Sequence, residues 1–306
     1  MSKPKIVVVG SSNTDMIIKA ERIPAPGETV VGGTFATAPG GKGANQAVAA
    51  ARAGGDVSFV ARVGDDMLGA QAVEGYAREG IDVSFIQRDA KLATGVALIM
   101  VDASGDNSIS VASGANFALT PEDVERAADV IKSAQVVVVQ LETPLETIER
   151  AAQIAKASGV PVLLDPAPAP SAPLPSSLLS CVSVVKPNET EATRLTGIEV
   201  VDESTARSAC AKLLELGVDT AIITLGAAGS VVMTKDGFCQ TFAAKRVSAV
   251  DATAAGDCYS GALAVALAEG KSLAESVEFA STAASLSVQK LGAQPSLPTR
   301  EEIDRA

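Results

Sequence analysis

Residues 136–164, VVVVQLETPLETIERAAQIAKASGVPVLL, hold one complete strand–helix–strand unit. Val136–Val139 is a short β-branched run, 145–158 has the pattern of an Ala-rich helix, and Val160–Leu164 is a second β-branched run. The same alternation recurs on both sides of it. Apolar runs stand at Ile6–Val9, Val57–Val63, Val182–Val185 and Ala221–Thr224, with helical stretches at 43–53, 66–79, 121–133, 204–216, 257–269 and 272–290. Alternation of this kind predicts a wound α/β fold, a mainly parallel sheet with helices on both faces. Two regions break the pattern. Residues 15–38 and 93–113 lack helical periodicity and carry strand-like segments at Met16–Lys19, Thr29–Phe35, Gly95–Val101 and Ser108–Val111. In the last, Ile109 and Val111 alternate with Ser108 and Ser110, giving one apolar and one polar face. The two regions read as a small β-sheet inserted into a single domain spanning 1–306, either a lid over a ligand or an extension of the main sheet. No repeat, low-complexity tract or interdomain linker interrupts the chain, and the Pro-rich stretch 166–175 reads as a stiff surface loop.

Composition narrows the chemistry. Of the 306 residues 47% are hydrophobic but only 3% aromatic, which suits a core of Ala, Val, Ile and Leu between helices and sheet. The net charge is −11 and the 25 basic residues are scattered, so no basic stripe marks a nucleic-acid partner. Cysteines stand at 181, 210, 239 and 258 with no CxxC pair, and the chain has no histidine. A zinc site is therefore not expected, and the cysteines read as small, reduced core residues. Without histidine, the Ser-His and Cys-His nucleophile systems are excluded, and a general base must be Asp, Glu, Lys, Tyr or Cys. The opening MSKPKIVVVG enters a strand at once, and no apolar run reaches the roughly 18 residues that span a bilayer. The expectation is a soluble cytoplasmic protein without a membrane partner.

Polar clusters follow the predicted strands, where ligands of wound sheets bind. They are Asn13 and Asp15 after the first strand, Glu142 after 136–139, Asn188 and Glu191 after 182–185, and Thr224–Gly229 after 221–224. Each alone could be a routine loop; their common edge is the informative point. The segment DATAAGDCYSG (251–261) opens a long helical pattern with the small residues Ala254, Ala255 and Gly256. Free N–H groups there can face a phosphoryl group, and Asp257, held ionised by the helix dipole, can accept the proton of an attacking hydroxyl. The alternative is an acidic residue serving only the dipole. GGKGAN (40–45) matches neither GxxxxGK[ST] nor GxGxxG, since Gly43 follows the lysine and Gln46 holds the last position. Its glycines would let backbone and the Asn45 amide approach a hydroxylated ligand.

Together these segments resemble the ribokinase-like carbohydrate kinase family along essentially the whole chain. The resemblance rests on GGKGANQAVAAAR (40–52), VGDDMLG (63–69), TGVALI (94–99), QLETPLE (140–146), PAPAP (166–170), KPNETEATRLTGI (186–198), ITLGAAG (223–229), DATAAGD (251–257) and GAQPSLPTREEID (292–304). It implies transfer of the γ-phosphate of ATP to a sugar, foremost the 5-hydroxyl of D-ribose, with deoxyribose or a hexose as the alternative acceptor. A non-catalytic sugar- or nucleotide-binding regulator on the same scaffold is the reading from another class. By resemblance, Asn13, Asp15, Gly41, Lys42, Gly43, Asn45 and Glu142 hold the sugar, Asp257 is the base, and Ala254, Ala255 and Gly256 form the anion hole. Asn188 and Glu191 position Mg2+ and phosphate, the metal through water, while Thr224, Leu225, Gly226, Gly229, Gly256 and Ser281 lie along the nucleotide. A K+ ion is implied at Asp251, Thr253, Ser287, Lys290, Gly292 and Ser296, Lys290 through its carbonyl alone. The inserted sheet resembles the family lid, which closes over the sugar and often pairs with a second subunit, implying a homodimer. The chain departs from the family pattern at Cys258, Tyr259 and Ser260, where Thr-Phe-Asn is common, and at Ser281, where Asn or His is common.

Overall fold

The structure, a computed structural model, describes residues 3–306. Its strands are β1 (Lys5–Val9), β2 (Asn13–Lys19), β3 (Thr34–Gly40), β4 (Asp56–Gly64), β5 (Ile86–Asp89), β6 (Gly95–Val101), β7 (Asn107–Ala112), β8 (Val136–Val139), β9 (Val162–Leu164), β10 (Val184–Val185), β11 (Thr220–Thr224), β12 (Ser230–Thr234) and β13 (Cys239–Phe242). Among the described residues nine of them form one sheet in the order β13-β12-β11-β10-β9-β8-β1-β4-β5. Pairing is parallel from β11 across to β5, and β12 and β13 add an antiparallel edge.

The unbroken β-branched runs follow from burial on both faces. Val7 and Val9 of β1 and Val137 and Val139 of β8 enter one core, while Ile6, Val8, Val136 and Val138 enter the other. With side chains alternating along a strand, both registers must be apolar, so the sequence shows a run rather than an alternation. Helices Leu145–Ala157 and Glu203–Glu215 cover the first core, and Lys42–Arg52, Ala255–Ala268 and Leu273–Ser287 cover the second. No helix among the described residues is long and apolar enough to cross a membrane.

The two aperiodic regions supply the second sheet, β3-β2-β6-β7. The expected strand Thr29–Phe35 is displaced, because Gly32 and Gly33 take φ of 99° and 103° and the extended run starts only at Thr34. The helix expected over 121–133 is two pieces, Pro121–Arg126 and Ala128–Ser133, broken at Ala127. Strands β5, β12 and β13 and the helix Glu189–Thr196 were not read from the sequence. Of the cysteines only Cys210 and Cys258 are core residues, whereas Cys181 is half-buried and Cys239 exposed; β13 is the outermost strand, and its first two residues, Cys239 and Gln240, are both exposed.

Candidate active site

From β1 the chain winds outward to β4 and β5, returns to β8, and proceeds the other way to β9, β10 and β11, so winding reverses between β1 and β8. The crevice beyond such a reversal is where ligands of wound sheets bind. There Ser11, just past β1, donates its hydroxyl to Glu142 Oε2 at 2.5 Å, and the Lys42 N–H donates to the same oxygen at 3.0 Å. Asn13 and Asp15 are on β2; Asn116 Nδ2 donates to Asn13 Oδ1 at 2.7 Å and fixes that amide. Gly41, at φ 89°, turns the chain from β3 into helix Lys42–Arg52. The expected sugar residues therefore converge from β2, the β3–helix turn and the loop after β8.

Burial, with a contribution from Glu142, pushes the Asp15 carboxyl up to about 6. If Asp15 holds the sugar, as the resemblance implies, it is the anion that accepts two hydroxyl hydrogen bonds without itself needing an acceptor. Direct binding of ribose to the ATP-free protein should therefore weaken as pH falls through about 6, by up to about tenfold per unit for one titrating group. Calorimetric titration between pH 5 and 8 checks this, and Asp15→Asn should remove the pH dependence.

On the other side of helix Lys42–Arg52 opens a cavity of about 790 Å³. Asn188, Glu191, Thr224, Gly226, Gly229, Ser281 and the segment 254–257 line it, together with Ala284, Ser285 and Val288. Leu225 departs from expectation: it packs in the core, so only its main chain can meet a ligand. Asn188 and Glu191 form a capping box on helix Glu189–Thr196, each side chain accepting from the other's N–H at 2.9 Å. The motif thus has a structural duty as well. Burial and Asp165 raise the Glu191 carboxyl above its ordinary range.

Asp257 stands at the junction of the two sides. Asn45 Nδ2 donates to its Oδ2 at 3.0 Å, and Gln46 Nε2 donates to its Oδ1 at 2.9 Å. It lies in the first turn of helix Ala255–Ala268. Burial dominates and raises the carboxyl above the ordinary aspartate range, with Lys42 opposing and Asp165 adding to the rise. The result is a stronger base than a solvated aspartate. Ala254 caps the helix at φ 60°, a left-handed conformation that costs a non-glycine residue about 1–3 kcal/mol. The N–H groups of Ala254, Gly256 and Asp257 have no main-chain acceptor among the described residues, whereas that of Ala255 donates to Ala252 O at 3.2 Å.

Lys42, expected with the sugar, also lines this cavity. Burial works against its ammonium, but the field of Asp257, Asp165, Glu142 and Glu191 outweighs this and holds it protonated beyond the ordinary lysine range. Asp251 gathers the expected cation loop: its Oδ1 accepts from Thr253 N–H and Oγ1, and its Oδ2 from Gly292 N–H at 2.8 Å. Ser287 and Lys290 flank Val288, whose carbonyl accepts the Asp251 N–H, and buried Ser296 follows in the same loop. The Lys290 ammonium turns away to Glu302 at 2.9 Å. Among the described residues no three Asp, Glu or Cys side chains group as metal ligands. Sequence reasoning missed Asp165, Lys186 and Gln46, all buried beside Asp257; the first two end strands β9 and β10, and Gln46 follows Asn45.

The model of pfkB family carbohydrate kinases matches residues 3–300. The chain belongs to that family. Among pfkB relatives, Haemophilus influenzae ribokinase is 45% identical over 303 residues, covering 97% of this chain and 96% of its own. Staphylococcus aureus ribokinase is 43% identical, covering 98% and 99%. The solved structure of Arabidopsis thaliana ribokinase complexed with ribose and ATP superposes with a TM-score of 0.94 at 36% identity, covering 100% of this chain and 98% of that one. The wound sheet and second sheet are thus the pfkB architecture, and the chain is a carbohydrate kinase.

Proposed function

We propose that the chain catalyses transfer of the γ-phosphoryl group of ATP to the 5-hydroxyl of D-ribose. The observation that carries this reading is Asp257, bonded to Asn45 of the polar pocket on one side and opening the nucleotide cavity on the other. Ribokinase relatives more than 40% identical over nearly the full chain support the same acceptor. In the reaction, the sugar hydroxyl gives its proton to Asp257 while its oxygen bonds the γ-phosphorus and the bond to ADP oxygen breaks. Free N–H groups at the helix start and the Lys42 ammonium meet the charge spread over the transferring group.

Mg2+ fits the cavity through water: Glu191 offers a carboxylate there and no cluster of direct ligands exists among the described residues. When bound, it neutralises phosphate charge. The loop of Asp251, Thr253, Ser287, Lys290, Gly292 and Ser296 offers oxygen donors alone, a chemistry that suits K+; the ion supplies positive charge beside the helix start. Burial opposes the Asp251 anion, but hydrogen bonds from Thr253 and Gly292 hold its carboxyl below the usual range, which also favours a cation.

The small sheet serves as the lid, shielding the transferring group from water. It leaves large apolar residues exposed on both faces: Ile18, Phe35 and Leu98 on one, Ile109 and Val111 on the other. A homodimer packed on one face of this sheet would cover the apolar residues of that face. The double variant Leu98→Asp/Ile109→Asp should sediment as a monomer where the parent is a dimer; a persisting dimer refutes that interface. The acceptor is tested by coupled ADP release with ribose, deoxyribose and hexoses, with and without K+. Ribose should rank first, and a lower rank overturns the assignment.

A further inference from the structure

Beneath Asp257 lies a buried polar chain whose Asp165 and Lys186 also line the cavity, while its Gln46 and Gln140 do not. Gln46, on helix Lys42–Arg52, is fully buried. Its Oε1 accepts from Gln140 Nε2 at 2.7 Å, which fixes the orientation of the amide. The two hydrogens of its Nε2 then go to two different carboxylates, Asp257 Oδ1 at 2.9 Å and Asp165 Oδ2 at 2.8 Å. Asp165 Oδ2 also accepts from Ser260 Oγ at 3.0 Å and pairs with the Lys186 ammonium at 3.3 Å. Lys186 reaches Gly256 O at 3.3 Å, so the chain returns to the helix start that carries the base.

Two buried carboxylates sharing one amide nitrogen would repel each other without a donor between them. Asn45 holds the other oxygen of Asp257, so each oxygen of the base has one neutral donor and keeps a lone pair for the substrate. We infer that Gln46 is the positioning residue of the base: clamped by Gln140, its amide holds Asp257 aimed at the sugar hydroxyl and separates it from Asp165. This inference rests on the kinase reading and adds to it a residue that touches neither substrate.

The charged groups facing Asp257 are Lys42 from the start of its own helix, Asp165 after β9, Lys186 after β10 and, more distantly, Glu191; Cys258 is its neighbour in sequence. Two variants therefore move its titration in opposite directions. Gln46→Met removes the donor and leaves the carboxylates facing each other, disfavouring ionised Asp257. Asp165→Asn removes the repelling charge and leaves an oxygen for Gln46 to donate to.

The test is the acid limb of kcat at saturating ribose and ATP, which reports the ionisation of the ternary complex. Gln46→Met should move that limb up by about one pH unit or more, with the KM for ATP changed less than a few-fold. Asp165→Asn should move it down. A merely structural role would lower kcat at all pH values and move neither limb, so an unmoved limb in either folded variant overturns the inference. If Gln46→Met does not fold, Gln140→Met frees the amide without deleting it and should carry the same upward shift; an unmoved limb there is equally decisive. The parent is profiled first, because a parent that never phosphorylates a sugar refutes the kinase reading, whereas an active parent with unmoved variants refutes only the role of Gln46.

Discussion

Asp257→Asn should lower kcat by about 10²–10⁴-fold, the range general-base catalysis supplies, or about 3–5 kcal/mol of barrier. The amide cannot take the hydroxyl proton, while Asn45, Glu142, Lys42 and the lining of the nucleotide cavity remain to bind both substrates. The variant should not lose stability. Because burial raises the Asp257 pKa, the ionised carboxylate is the form the fold disfavours, and its stability cost applies at pH values above that raised pKa. A neutral amide removes that cost at neutral pH but sets its NH2 against one of the donors Asn45 and Gln46, so the two effects oppose and the melting temperature should stay near the parental value. Calorimetric binding of ribose and of ATP, with a thermal melt and single-turnover kinetics, checks all three points. Near-parental kcat would show that Asp257 is not the base and would reopen the binding-regulator reading.

Gly261→Ala should also damage catalysis, from a residue that touches no ligand. One helical turn beyond Asp257, Gly261 lets helix Ala255–Ala268 press against helix Lys42–Arg52. A Cβ there would lie 2.6 Å from Ala49 Cβ, 2.7 Å from Gln46 O and 2.8 Å from Ala50 N. Two of these are backbone atoms, so the helices themselves must part. Overpacking of this kind costs about 1–3 kcal/mol, and the roughly 0.5–1 kcal/mol that alanine gains over glycine in a helix does not offset it. The displacement falls on the helix that carries Asn45 and Gln46. A shift near 1 Å can cost about 10²-fold in rate, so kcat should fall by that order alongside a lower melting temperature. Parental kcat in Gly261→Ala would mean that the spacing of these helices does not set the base.

In the main sheet, most of the legible strands are those buried on both faces; in the small sheet, the partly buried Gly95–Val101 and the exposed, alternating Ser108–Val111 were legible too. Val136–Val139 was read to the residue because four consecutive buried valines leave no other pattern. The edge strands of the main sheet were not: β5 has no buried residue and β13 only Phe242, so neither presents a run. The capping box at Asn188 and Glu191 carries its own signature, S/T/N-x-x-E, yet the same letters serve a ligand motif, and chemistry drew the reading away from the helix it starts. Gln46 was visible only as the residue that spoiled a glycine pattern.

The sequence by itself determined the strand–helix alternation, the second sheet's strand-rich segments, the exclusion of histidine chemistry and the carboxylate at a helix start. These are local properties, written in spacing, residue type and composition. Only the tertiary structure decided that Asn45 and Gln46 hold Asp257, that Asp165 and Lys186 lie behind it, and that burial raises its carboxyl above the ordinary range. Those facts depend on groups more than a hundred residues apart meeting in a low-dielectric interior, and no local pattern encodes a distance across the fold.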